Sequence, residues 1–369
     1  MRTLAIIVNY KSFALTLQAV KSVLESESCG PVSVVVVDNS SDPDESRKLR
    51  SNLPSSVVLR VNARNMGFGV ACNQAFREFE SDGILLINPD ARLRPGCLKQ
   101  LQKTLFSSRN VAAVSPQLFW DDEQTFYLPP PYPTALFEFR AFLATWGSDA
   151  WINRCLSFLW RRRSIKVWRS KRPVKVSNLT GGLVLLDRVA VQKSGGLFDP
   201  RFFLYFEDTD LFLRLRNNGF RLLIEPRASA IHYYDQCGRH QWAEKRRLMA
   251  KSHTLFLEKH EKVWKTCFKK FFECLFRPAL DRKEFSSPVF QKPFSLKVPA
   301  RFQKQWLFEW SPNPDLVPSA ARFGAGPEMH FSENFWKLLS PGQYFGRLGG
   351  TKRFGMRSQK VSWVVQENR

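Results

Sequence analysis

Short unbroken apolar runs alternate with amphipathic stretches through the first 90 residues of the chain. Leu4-Ala5-Ile6-Ile7-Val8 has the length and β-branched content of a buried strand, and it ends on Asn9-Tyr10. Apolar positions at Leu15, Val20 and Leu24 then read as a helix. Val32 to Val37 predicts a second strand, ending on Asp38-Asn39-Ser40-Ser41. Val57 to Val61 predicts a third, ending near Asn65-Met66-Gly67-Phe68-Gly69. Ile84 to Ile87 predicts a fourth, ending on Asn88-Pro89-Asp90. This alternation predicts an α/β fold with a mainly parallel central sheet. In such sheets ligands bind beyond the carboxyl ends of the strands. One polar cluster there is a turn, but four in succession map a crevice.

The densest chemistry lies between Phe202 and His232. Glu207, Asp208 and Asp210 open a helix pattern in which Leu211, Leu213 and Leu215 alternate with Arg214 and Arg216. Asn218-Gly219 ends that helix, Phe220 to Ile224 reads as a strand, and His232 follows. Free N–H groups and the dipole at a helix N-terminus favour carboxylates. A carboxylate kept ionised beside a substrate hydroxyl serves as a general base. The same acids also fit a solvated helix cap, and the upstream crevice weighs against that alternative.

Six segments in order carry a resemblance: VVVVDNSS (34–41), NMGFGVACNQA (65–75), LLINPDA (85–91), NLTGGLVLLDR (178–188), GGLFDPRFFLYFEDTDLFLRLRNNGF (195–220) and Ala230-Ile231-His232. They resemble family 2 inverting glycosyltransferases of the GT-A fold, in the rhamnosyltransferase-like branch. KSHTLFLEKH (251–260) is similar to a helix that follows the histidine in that branch. The resemblance spans about residues 3–260.

The resemblance implies a nucleotide-diphosphate sugar donor. Asp38, with Asn39 and with Asn9 beside them, would bind the base or ribose. Asn65, Gly67 and Asn73 would line the nucleotide and sugar side, the glycine allowing close backbone approach. Asn88-Pro89-Asp90 stands where the family usually has Asp-X-Asp, so Asp90 would hold Mg2+ or Mn2+ bridging the donor phosphates. Asn88 in place of the first acid lowers the charge of that site. His232 would be a second metal contact or a donor to the diphosphate. Thr180-Gly181-Gly182 would shape the floor near the transferred sugar. Asp208 would take the proton from an acceptor hydroxyl as its oxygen attacks the anomeric carbon, with Glu207 supporting the loop and Asp210 capping the helix. One displacement of that kind inverts the anomeric centre. The implied donor is dTDP-rhamnose, the acceptor a lipid-linked glycan, and the setting surface polysaccharide synthesis.

Charge adds a second theme. The chain carries a formal +23, and residues 154–176 hold nine Arg and Lys with no acid. Trp160 and Trp168 interleave with Arg161-Arg162-Arg163 there, after the apolar, aromatic stretch 134–152. Basic and aromatic residues in one segment suit an anionic membrane surface, and a solvated basic insertion is the plainer alternative. A second basic cluster runs from Arg239 to Lys251. No nucleic-acid-binding motif accompanies either, so nucleic acid is not an expected partner. Seven cysteines, odd in number and without a CxxC pair, suit a reducing cytosol. The run at residues 4–8 is too short for a signal peptide, and no stretch reaches 18 apolar residues. The expected location is the inner face of the cytoplasmic membrane, as a peripheral protein.

The expected organisation is a catalytic domain at 1–260 with a basic, aromatic insertion at 117–175, a helical linker at 261–284 and a β-rich appendage at 285–369. Val263 to Phe276 reads as a basic helix, while 294–298 and 306–310 read as strands among frequent prolines. Two other classes compete. One is a nucleotide-binding module of the same fold that has lost catalysis. The other is a dinucleotide oxidoreductase, which Gly67-Phe68-Gly69 fits badly for want of a third glycine.

Overall fold

The computed structural model describes residues 1–131, 149–233, 242–260, 289–351 and 358–366. The chain forms two compact units, one from residues 1–118 and 170–267, the other from 119–169 and 268–369. The expected linker helix and much of 134–152 lie outside the described residues.

The first unit begins β1 (Thr3–Asn9), α1 (Phe13–Leu24), β2 (Val32–Asp38), α2 (Pro43–Asn52), β3 (Val57–Val61), α3 (Phe68–Glu78) and β4 (Gly83–Ile87). β5 (Ala91–Leu93), α4 (Cys97–Leu105) and β6 (Val111–Phe119) follow. After α5 (Asp149–Trp168), which belongs to the second unit, come β7 (Val174–Val176), β8 (Leu183–Asp187) and α6 (Arg188–Lys193). α7 (Glu207–Asn217), β9 (Arg221–His232) and α8 (Trp242–His260) complete it. The four strands expected from the apolar runs are all present. Their sheet has the order β3-β2-β1-β4-β8-β6-β9-β5, with β7 also paired to β9. The half formed by β3, β2, β1 and β4 is parallel, as the α/β pattern predicts, and β8 joins β4 antiparallel. Burial on both faces explains why the runs of β1, β2 and β4 are apolar instead of alternating, while the edge strand β3 is partly exposed and carries Arg60.

One face of that sheet packs on α1 and α4 through Ala5, Ile7, Val34, Val36, Leu85, Leu185, Ala19, Val20, Leu98 and Leu101. Ala19, Val20 and Val23 recur at helical spacing, which gives α1 one buried stripe. Asp42 caps α2 by accepting from the N–H groups of Asp44 and Glu45, with Pro43 inside the first turn. β9 is longer than the strand expected at 220–224, and it carries His232 at its end.

The second unit holds β10 (Val289–Phe290), β11 (Ser295–Lys297), β12 (Trp306–Ser311), β13 (Ala320–Gly324) and β14 (Glu328–His330). α9 (Glu333–Leu338), β15 (Gly342–Gly349) and β16 (Gln359–Val365) close it. Its main sheet has the order β10-β16-β15-β12-β13, and β11 pairs with β14 separately. Both strands expected at 294–298 and 306–310 are there. Residues 119–169, most of the expected basic insertion, belong to this unit and not to the first. Phe126 shares a core with Trp306, Phe308 and Phe331, and Trp168 packs with Leu307 and Ala321. Arg161 donates to Glu309 Oε2 at 2.8 Å, and Arg347 Nη2 approaches the same oxygen at 3.0 Å. Trp160, Arg161 and Trp168 are therefore interior residues, 1%, 7% and 3% exposed, which removes them from any membrane surface.

Among the described residues no helix is long and apolar enough to cross a membrane.

Candidate active site

Strand register brings the predicted residues together. Asn9 aligns with Asp38 across β1 and β2, so both polar strand ends meet. Ile87 aligns with Leu183, which puts Asn88 beside Gly182; the Asn88 N–H donates to the Gly182 carbonyl at 2.8 Å. Ala91 aligns with His232 across β5 and β9, which sets Asp90 against the imidazole. His232 Nε2 lies 3.2 Å from Asp90 Oδ1, and both side chains are buried.

Gly181 and Gly182 are present because nothing larger fits. A Cβ on Gly181 would stand 2.9 Å from the Asp208 Cβ. A Cβ on Gly182 would stand 2.6 Å from His232 Cε1 and 3.1 Å from Asn88 Nδ2. The Thr180 hydroxyl accepts from the Gly182 N–H at 3.3 Å. This short turn thus touches the acid of α7 on one side and the Asn88–His232 pair on the other.

At the β1 and β2 ends the polar side chains bind one another. Asn9 Nδ2 donates to Asp38 Oδ1 and to Ser40 Oγ, each at 3.0 Å, while Thr16 and Ser12 donate to its Oδ1. Ser46 Oγ donates to Asp38 Oδ2 at 2.5 Å. Asn39 donates to Asn65 Oδ1 at 2.7 Å and accepts from Asn62 and the Met66 N–H. Asn73 both donates to and accepts from the Phe198 backbone. The sequence suggested direct nucleotide contacts for Asn9, Asp38, Asn39 and Asn73. Here all four are buried and hydrogen-bonded to the loops around the strand ends. Asn65 is half-buried and stays at the surface of this network. Gly67 has φ of +82°, and a Cβ there would meet the Phe203 carbonyl at 2.5 Å, so only glycine serves. Ser46, Asn62 and Phe203 also build the site, and the sequence did not single them out.

The three acids of α7 have three different environments. Tyr205 and Phe206 precede them with φ of +69° and +65°, a left-handed pair of non-glycine residues of the sort that holds functional loops. Glu207 is buried, and burial followed by the charge of Asp208 pushes its carboxyl up to about 8. Its Oε2 has no hydrogen-bond partner among the described residues. Asp208 is half-buried; Gly181 N–H donates to its Oδ2 at 2.9 Å and Thr209 N–H to its Oδ1 at 2.6 Å. Burial raises its pKa, and these backbone donors hold the rise back. Asp210 does not cap the helix as expected. It is fully buried and accepts from Arg214 Nε at 2.8 Å, Lys259 Nζ at 2.6 Å and His260 Nε2 at 2.7 Å. Those partners lower its pKa against the upward push of burial. Of the three, only Asp208 is both oriented and reachable.

No group of three or more His, Cys, Asp or Glu among the described residues could hold a metal alone. Asp90 and His232 offer one carboxylate and one imidazole side by side, a donor pair that fits a divalent ion completed by phosphate oxygens and water.

Fold and site together define an α/β protein with a polar crevice at the carboxyl ends of its parallel strands and a reachable carboxylate at a helix start. Residues 4–169 match the model of Glycosyl transferase family 2. The chain is 27% identical over 217 residues to N-acetylglucosaminyl-diphospho-decaprenol L-rhamnosyltransferase from two strains of Mycobacterium tuberculosis, covering 55% of this chain and 67% of the relative. Among solved structures it is similar to GalNAc-T7 with UDP, GalNAc and Mn2+ (TM-score 0.44, 14% identity), covering 63% of this chain and 43% of that one. The chain therefore spans less than half of the GalNAc-T7 structure. It is also similar to the mannosyltransferase PcManGT from Pyrobaculum calidifontis in complex with GDP-Man and Mn2+ (TM-score 0.43, 17% identity), covering 74% of each chain. The family model that matches is the one that the six sequence segments resemble.

Proposed function

We propose that this protein is an inverting glycosyltransferase that moves a sugar from a nucleotide-diphosphate donor to a lipid-linked glycan in surface polysaccharide synthesis. The observation that carries the reading is Asp208: the one acid of α7 that is reachable, with its carboxylate aimed by the Gly181 and Thr209 N–H groups. A carboxylate so placed accepts the proton of an acceptor hydroxyl while that oxygen attacks the anomeric carbon. A single displacement inverts the centre and needs no nucleophilic side chain. Glu207, held neutral by burial up to about pH 8, leaves the negative charge of the pair on Asp208.

Asn65, Gly67, Asn88 and the Thr180-Gly181-Gly182 turn would line the donor, and Asp90 with His232 would hold Mg2+ or Mn2+. When bound, such an ion neutralises charge on the departing diphosphate. The relative's name supports L-rhamnose as the sugar and a diphospho-polyprenol glycan as the acceptor. Membrane association at the cytoplasmic face fits that acceptor. Among the described side chains of α5, Phe158, Leu159, Arg162 and Lys166 are exposed, as is Arg169 just past its end, and they offer both apolar and cationic contacts.

The test is incubation with a panel of nucleotide sugars and a polyprenyl-diphosphate-linked N-acetylglucosamine, watching nucleoside diphosphate release and product stereochemistry. Release with dTDP-rhamnose and an inverted product supports the proposal. No release from any donor in the panel sinks it.

A further inference from the structure

Beside the catalytic helix the first unit has a groove of about 420 Å³, walled by Arg201, Phe203, Leu248, Lys251, Leu255 and Glu258. On α8, Leu248, Lys251, Leu255 and Glu258 recur at three- and four-residue spacing and so share one face. The facing wall is the loop that leads into Glu207 and Asp208. Three contacts clamp the walls together. Ser252 Oγ donates to the Leu204 carbonyl at 2.8 Å, Lys259 Nζ lies 2.7 Å from Asp199 Oδ2, and His260 Nε2 lies 2.7 Å from Asp210 Oδ1. Asp210 belongs to α7, so the groove is fixed to the helix that carries Asp208.

Phe203 joins the groove to the crevice. Its carbonyl accepts from the Phe68 N–H at 2.9 Å, and its ring lies against Gly67. Its lining mixes apolar walls with cations: Lys251 is exposed, and Arg201 is 58% exposed while Asp199 holds it in bidentate contact. Apolar walls beside ammonium and guanidinium groups match a lipid diphosphate, whose head carries negative charge and whose tail is hydrocarbon. Glu258 lies seven residues past Lys251, about 10 Å along the helix, and disfavours a second anion at that end.

The geometry points to this groove as the subsite for the diphosphate and first isoprene units of a polyprenyl-diphosphate acceptor, an assignment that rests on the glycosyltransferase reading above. Lys251 meets the diphosphate, Phe203 and Leu255 meet the lipid, and the acceptor sugar extends toward Asp208.

Two measurements test it on the whole chain. In the first, Lys251→Glu and Lys251→Arg are assayed with polyprenyl-diphosphate-linked N-acetylglucosamine and with octyl N-acetylglucosaminide. Lys251→Glu should raise KM about tenfold for the diphosphate acceptor only, and Lys251→Arg should restore it. An equal change with both acceptors, or none with either, overturns the assignment. In the second, farnesyl diphosphate is titrated against the protein saturated with nucleoside diphosphate. Binding should weaken in Lys251→Glu, and undiminished binding overturns the assignment. Should the wild type release no nucleoside diphosphate from any sugar donor yet bind farnesyl diphosphate through Lys251, the groove stands and the transferase reading falls.

Discussion

Gly181 donates its backbone N–H to Asp208 Oδ2 at 2.9 Å, and a Cβ on Gly181 would stand 2.9 Å from the Asp208 Cβ. The turn and the acid are thus closer than any side chain would permit. Gly181→Ala must push Asp208 off its donor, and a small displacement of a reacting group costs on the order of a hundredfold in rate. We expect kcat to fall by about that factor while donor binding holds. Unchanged kcat would mean the turn yields without moving the acid.

Asp208→Asn should lower transfer by roughly 10²–10⁴-fold, the usual worth of general acid–base catalysis. Glu207→Gln should cost far less, since Glu207 is buried and already neutral below about pH 8. A larger loss in Glu207→Gln than in Asp208→Asn would move the base to Glu207.

Glu207 also sets a pH dependence of stability. Its folded pKa is raised from 4.5 to about 8, so between those values the folded chain holds more protons there than the unfolded chain. The contribution of this group is full below pH 4.5, declines as pH rises to about 8, and is lost beyond. Glu225 acts oppositely: Arg227 and Thr104 hold it at about 2 against its burial, so its stabilisation fades as pH falls from 4.5 toward 2. Denaturant midpoints measured from pH 5 to 9 should decline less in Glu207→Gln than in the wild type. Parallel curves would contradict the raised value.

Asp90→Ala should abolish metal-dependent donor binding, and His232→Ala should weaken it less, as calorimetry with and without chelator would show. Donor binding that ignores chelator in the wild type would remove the metal and leave His232 as a direct contact to the diphosphate.

On and just past α5, Arg162→Glu, Lys166→Glu and Arg169→Glu together should cut binding to anionic vesicles more than a hundredfold, at about 1 kcal/mol for each basic residue. Trp160→Ala should instead lower the melting temperature, because truncating a buried aromatic costs about 3–5 kcal/mol. Equal pelleting of the triple variant and the wild type would leave α5 as a solvated face.

Much of the first unit was legible because its signals are local. Runs such as Val34–Val37 are buried on both faces, and polar residues crowd the strand ends that follow them. The family pattern suggested related roles for Asp90 and His232, and the β5–β9 register is what brings the two side chains into contact. Roles that depend on which way a side chain turns were not legible. The hydrogen bonds of Asp38 to Ser46 and of Asn73 to the Phe198 backbone were not foreseeable from the strand ends alone. Asp210 looked like a cap, because its partners Lys259 and His260 lie about fifty residues away. The basic insertion misled for the same reason: the acid that neutralises Arg161 is 148 residues further on.

That last separation governs the order in which the protein can be made. Arg161 and Trp168 leave the ribosome well before Leu307, which packs on Trp168, and Glu309, which pairs with Arg161 and Arg347 in the finished unit. At roughly 5–20 residues per second, the wait between Arg161 and Glu309 is on the order of ten seconds. Through that interval a tryptophan-bearing, cationic segment has neither its core nor its counter-ion. Nascent chains stalled before residue 306 should therefore be markedly more prone to aggregate or to recruit chaperones than chains released whole.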